Sequence, residues 1–121
     1  MEAMTMLRTA VVIFASAAGG GLLMAGIRFL GKRNPPAWLA MLHGLLAAAG
    51  LTLVIYAGYT GDLPSLARVG GVLLLLAAIG GAFLNLRYQW KQVLLPSMIV
   101  VAHAGLAVAG FACLVVAAFM R

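Results

Sequence analysis

Four long apolar segments follow one another along the chain, at about 7–30, 37–59, 65–86 and 94–120, with short polar stretches between them. Each is near or above the roughly 20 residues that a helix needs to cross about 30 Å of hydrocarbon. None alternates in the manner of a membrane β-strand. In lipid only helices and closed barrels satisfy their own backbone groups. The pattern therefore predicts an all-α fold, an integral membrane four-helix bundle within a single transmembrane domain over 1–121. The breaks are Gly31-Lys-Arg-Asn-Pro-Pro36, Tyr59-Thr-Gly-Asp-Leu-Pro64 and Arg87-Tyr-Gln-Trp-Lys-Gln92. Pro suits the first turn of a helix that follows a break. All three breaks are short, so consecutive helices are expected to be antiparallel neighbours.

The pattern also repeats. At an offset of 60 residues Arg8 meets Arg68, and Ala17, Ala18, Gly20 and Gly21 meet Ala77, Ala78, Gly80 and Gly81. Further along, Pro36 meets Pro96, His43 meets His103, and Leu46, Ala47, Ala49 and Gly50 meet Leu106, Ala107, Ala109 and Gly110, with no gap. Chance matching in an Ala- and Leu-rich chain explains many apolar coincidences. It does not explain the only two histidines, two of the four prolines and the paired glycines falling at one offset. Two tandem helical hairpins are expected, at about 8–61 and 68–121. Each holds an even number of helices, so the two share one orientation and are related by an axis along the membrane normal, as in parallel transporter repeats.

Composition agrees with a membrane protein. The chain is 65% apolar and 8% charged, against roughly 25% charged in an ordinary soluble domain. Its mean hydropathy is +1.14. The first segment is too long for a secretory signal and lacks a small-residue cleavage site, so it reads as a retained helix. The net charge of +6 does not point to nucleic acid, because the basic residues sit at the ends of apolar segments. There they act as topology signals and contacts to the lipid bilayer's headgroups. The first and third breaks carry Arg28, Lys32, Arg33, Arg87 and Lys91, whereas the other side carries Arg8, Arg68 and Arg121 with Glu2 and Asp62. The positive-inside rule then expects the first and third turns in the cytoplasm and both termini outside, in a bacterial inner membrane. Trp38 and Trp90 flank the basic side, where an interfacial aromatic belt belongs.

Most reactive chemistry is excluded. The single Cys113 permits no internal disulfide and no cysteine-based metal cluster. There is no nucleophile–base pair, paired carboxylate or phosphate loop, so a stand-alone hydrolase or transferase is not expected. What stands out is the histidines. Each follows a Pro and precedes a Gly by seven residues, close to two helical turns. Pro36, His43, Gly50 and Ala57 therefore share one helix face, and Pro96, His103, Gly110 and Ala117 share the matching face of the fourth helix. The repeat sets both imidazoles at one depth, roughly 10 Å below the basic surface at 1.5 Å per residue. Ala47 and Ala107, four residues past each His, widen these faces with small side chains.

A polar side chain in lipid usually faces the bundle interior. Two uses of the imidazoles stay open. Each could simply bond a neighbouring backbone carbonyl, or the two could share a metal. Zinc wants at least three protein ligands, and no carboxylate lies within the bilayer segments. A haem iron needs only two, because the porphyrin fills four positions and two axial imidazoles complete six. Its propionates need cations or donors near an interface, and Arg28, Arg87 and Tyr88 lie at that edge. Ordinary snorkelling anchors are the other reading of those three.

Paired histidines on the second and fourth of four apolar helices resemble the arrangement in small bacterial four-helix membrane b-type cytochromes. That resemblance implies one haem b per chain, with His43 and His103 as axial ligands and Gly50, Gly110, Ala47 and Ala107 beside the macrocycle. Many such cytochromes hold two haems on four histidines, and this chain has two histidines. A single bis-His haem near one face implies electron exchange with a quinone, a partner protein or a second copy in a homo-oligomer. Two other resemblances are partial. Gly20-Gly-Leu-Leu-Met-Ala-Gly-Ile-Arg28-Phe is similar to the Gly-rich first helix of small fluoride channels, but the third helix lacks their Thr/Ser-rich break. Small multidrug transporters have similar length, but rely on an intramembrane Glu that is absent here. A small transporter or channel using its His, and an accessory subunit of a larger membrane complex, remain the alternatives.

Overall fold

The computed structural model describes residues 2–120. The basic side chain of Arg121, one of those weighed for topology, lies outside the described residues. Four α-helices, α1 (Ala3–Leu30), α2 (Ala37–Thr60), α3 (Ser65–Leu84) and α4 (Ser97–Phe119), make up the chain, with a π-helical turn at Asn85–Gln89 extending α3. All four are long and apolar enough to cross a membrane. Three of them begin directly after Pro36, Pro64 and Pro96, whose φ values of −64°, −54° and −69° already suit a helix start. The Pro carbonyls accept the first helical bonds, from Leu39 at 3.1 Å, Ala67 at 2.9 Å and Val100 at 3.1 Å.

One boundary differs from the sequence reading. A turn was expected over Arg87–Gln92, but helical structure runs on to Gln89. The backbone widens there, so that the Trp90 N–H reaches the Asn85 carbonyl at 2.7 Å. Gln89 is also anchored from outside, through Nε2 to the Pro35 carbonyl at 2.7 Å. Neither the wider turn nor that long-range bond leaves a periodicity signal.

The helices pack as two hairpins, α1 on α2 and α3 on α4, which meet more sparingly through α1–α4 and α2–α3. Helices α2 and α4 therefore stand across the bundle from each other. The 60-residue offset recurs in the backbone. Lys32 and Gln92, 60 positions apart, are the only non-Gly residues with positive φ among the described residues, at 54° and 56°.

The core is lopsided. Leu7 and Leu114 are fully buried near the end that holds the termini, with Ala10, Phe14, Leu51, Val54, Ala57, Ala67, Leu74, Ala117 and Ala118 around them. Past the level of Ala17 and Ala77, Leu39 and Leu84 are the only buried apolar side chains of the helices among the described residues. That far end is closed by hydrogen bonds between loops. Asn34 Nδ2 donates to the Val93 carbonyl at 2.7 Å, the Leu95 N–H to Asn34 Oδ1 at 2.9 Å, and Arg28 Nε to the Leu95 carbonyl at 2.7 Å.

Gly50 and Gly110 permit the tight hairpins. A Cβ on Gly50 would lie 2.7 Å from the Phe14 ring, and one on Gly110 would lie 2.8 Å from Leu74 Cγ and 2.9 Å from the Gly70 carbonyl oxygen. Phe14 and Leu74 are themselves repeat mates. A ring can swing aside more easily than a helix backbone, so Gly110→Ala should destabilise more than Gly50→Ala, by about 1–3 kcal/mol. Gly19→Ala, which meets open space, should be neutral or stabilising by up to about 1 kcal/mol. Apparent melting temperatures in one detergent check this order.

Candidate functional site

His43 stands two turns into α2 and His103 two turns into α4. Each imidazole leans onto the other helix of its own hairpin. His43 Nδ1 lies 2.8 Å from the Ala17 carbonyl oxygen, and His103 Nδ1 lies 2.7 Å from that of Ala77. A carbonyl only accepts, so both rings must carry their proton on Nδ1. In a bilayer such an interhelical bond is worth about 0.6–2 kcal/mol. It also fixes the tautomer. In the neutral ring Nε2 is then the lone-pair nitrogen, and no hydrogen bond among the described residues engages it.

Glycine makes this approach feasible. A Cβ on Gly21 would lie 3.1 Å from His43 Cε1, and one on Gly81 only 2.9 Å from His103 Cε1. Each Gly sits one turn past the carbonyl that its His bonds, so the ring lies against a bare stretch of helix. The two rings meet across the bundle with centroids 6.2 Å apart and planes at 75°. Both are partly buried, in the half of the bundle with few large buried side chains. Among the described residues no group of three or more His, Cys, Asp or Glu comes together, so two imidazole nitrogens are all that the site offers to a metal.

The other residues singled out from the sequence fall around this pair in different ways. The space beside Gly50 and Gly110 is filled by Phe14, and by Leu74 and the Gly70 backbone. Ala47 packs against the hydrophobic core, and Ala107 is half-buried. Arg28, Arg87 and Tyr88 lie at the loop end of the bundle without a hydrogen bond to either ring. Arg28 Nε is held by the Leu95 carbonyl and its guanidinium lies 5.4 Å from the Phe29 ring centre. Arg87 is exposed and lies 5.3 Å from the ring centre of Tyr88.

Sequence reasoning named the histidines but not their seats, Ala17, Gly21, Ala77 and Gly81. The signal was present, since these four residues match each other at the same offset as the histidines. Compared with known proteins, the chain matches no family model, no curated protein and no solved structure.

The tautomer is directly measurable. In 15N-histidine-labelled protein without cofactor, the neutral form of both residues should show a protonated Nδ1 and an unprotonated Nε2. Gly81→Ala should disturb the His103 signals more than Gly21→Ala disturbs those of His43, following the shorter 2.9 Å approach. Signals of the opposite tautomer in the unmodified protein would contradict the bonding described.

Proposed function

We propose that this chain is a haem-binding membrane protein of the b-type cytochrome kind, in which His43 and His103 hold one haem b from opposite sides. The observation that carries the reading is the spacing of the two imidazoles together with their fixed tautomer. With metal–nitrogen bonds of about 2.0–2.1 Å, two coaxial imidazoles on one metal have ring centres about 6.3 Å apart. The rings here are 6.2 Å apart. Each Nδ1–H bond to a carbonyl would leave Nε2 free to ligate and make it more basic, as the carbonyl partner of a metal-bound His commonly does. Two nitrogens are too few for zinc and sufficient for a haem iron.

Bound haem would supply one-electron chemistry. The chain's own part is to hold two neutral imidazoles level, to orient them through Ala17 and Ala77, and to keep water out with apolar helices. With His43 and His103 both held by the haem, no position would be left for oxygen, and the role would be electron transfer, with a quinone, a partner protein or a second copy as the exchange partner. We place both termini outside and the first and third loops in the cytoplasm of a bacterial inner membrane, on the charge balance of the loops.

A second reading has its own observation. Both Nδ1–H groups already have carbonyl partners, so the histidines would serve as cross-braces in an accessory subunit even without a metal.

Absorption spectroscopy separates the two. Protein purified in detergent from haem-replete cells should be coloured, with the reduced-minus-oxidised spectrum of six-coordinate b haem. His43→Ala and His103→Ala should each abolish that spectrum. Colourless protein that also fails to take up added haem would leave the cross-brace. For topology, single cysteines at Lys32 and Lys91 in a Cys113→Ala background should resist an impermeant thiol reagent in intact cells and react after lysis.

A further inference from the structure

On the outside of the bundle, α1 and α4 flank a shallow, open apolar groove of about 460 Å³. Ala25 and Phe29 form one wall, and Val101, Ala104, Gly105 and Val108 form much of the other. The stretch from Val100 to Ala109 follows about 13 Å of helix at 1.5 Å per residue, starting from the loop end. At that end stands Arg28, with its guanidinium 5.4 Å from the centre of the Phe29 ring that lines the groove. Its Nε is committed to the Leu95 carbonyl. No hydrogen bond or ion pair among the described residues engages its two terminal nitrogens. The chain's two acids, Glu2 and Asp62, both lie at the opposite end. A cation is therefore held in place at the mouth of an acyl-sized groove with no acid of its own nearby.

We propose that this groove is a binding site for one anionic phospholipid, with an acyl chain against Gly105 and the phosphate on Arg28. A quinone head fits less well, because the side-chain donor at the groove mouth is the charged Arg28, which favours an anionic phosphate over a neutral carbonyl. A second copy in the same orientation would bring its own Arg28 to the same depth, and like charges repel. The site occurs once per chain. The repeat mates of Ala25, Arg28 and Phe29 are Asn85, Tyr88 and Gln89, so the corresponding α2–α3 face has neither the cation nor the apolar wall.

Native mass spectrometry of the detergent-solubilised full chain, offered phosphatidylglycerol and phosphatidylcholine with identical acyl chains, tests the proposal. One phosphatidylglycerol should be retained per chain, preferred by about fivefold or more, as one well-placed cation warrants. Arg28→Gln should remove the preference, Arg28→Lys should keep most of it, and Lys91→Gln should leave it intact. Gly105→Leu puts a large side chain into the groove from a position where a Cβ has nothing within 4 Å. It should lower retention of both lipids, and this variant decides the matter if Arg28→Gln does not fold. Excess inorganic phosphate should leave the bound lipid in place. The proposal is overturned if Arg28→Gln behaves like Lys91→Gln, if Gly105→Leu retains lipid normally, if phosphate alone displaces the lipid, or if the spectra show a dimer that Gly105→Leu dissolves.

Discussion

A neutral imidazole in hydrocarbon carries one N–H that must be bonded, because no water is present to receive it. This chain meets the requirement twice with a helix carbonyl, and much of its loop-side half follows from that choice. The donor must come within about 3 Å of another helix's backbone, and a Cβ one turn along would stand in the way. Hence Gly21 and Gly81 lie under the rings, and α1 and α3 draw close to α2 and α4. The same bond decides which nitrogen stays free and so what the pair can do next.

The two ends of the bundle divide the work. Around Leu7 and Leu114 the helices interlock through ordinary apolar packing, and no buried polar or charged side chain is found among the described residues. The other half holds the two imidazoles, with ring centres 6.2 Å apart. There few apolar groups are buried, and the hairpins are tied by hydrogen bonds from Arg28, Asn34 and Gln89 to loop carbonyls. The apolar core lies at one end, and the paired imidazoles lie at the other.

Much of this was legible in the sequence, because the strongest signals were also the simplest. Apolar runs longer than a bilayer is thick fix four helices, and a single offset relating the histidines fixes two like hairpins. The facing of the imidazoles followed from Pro36, His43 and Gly50 lying seven residues apart. Three features were not legible. Asn34 and Gln89 act on carbonyls more than 50 residues away, and a carbonyl has no side-chain signature. The π-helical widening at Asn85–Gln89 is a matter of bond partners, and its composition resembles any helix end. Gly50 and Gly110 read as room for a ligand, whereas their missing Cβ atoms admit Phe14 and Leu74 from the neighbouring helix.

The loop clasp carries an implication for how the two halves relate. Its members have unlike mates at the 60-residue offset: Arg28 corresponds to Tyr88, Asn34 to Leu94, and Leu95 to Pro35. Suppose the first hairpin paired with a copy of itself. Asn34 Oδ1 would then face a proline, which has no N–H to give, where Leu95 donates now. Whatever ancestral symmetry the halves once had, they have become lock and key to each other, and self-pairing of the first would leave its latch open.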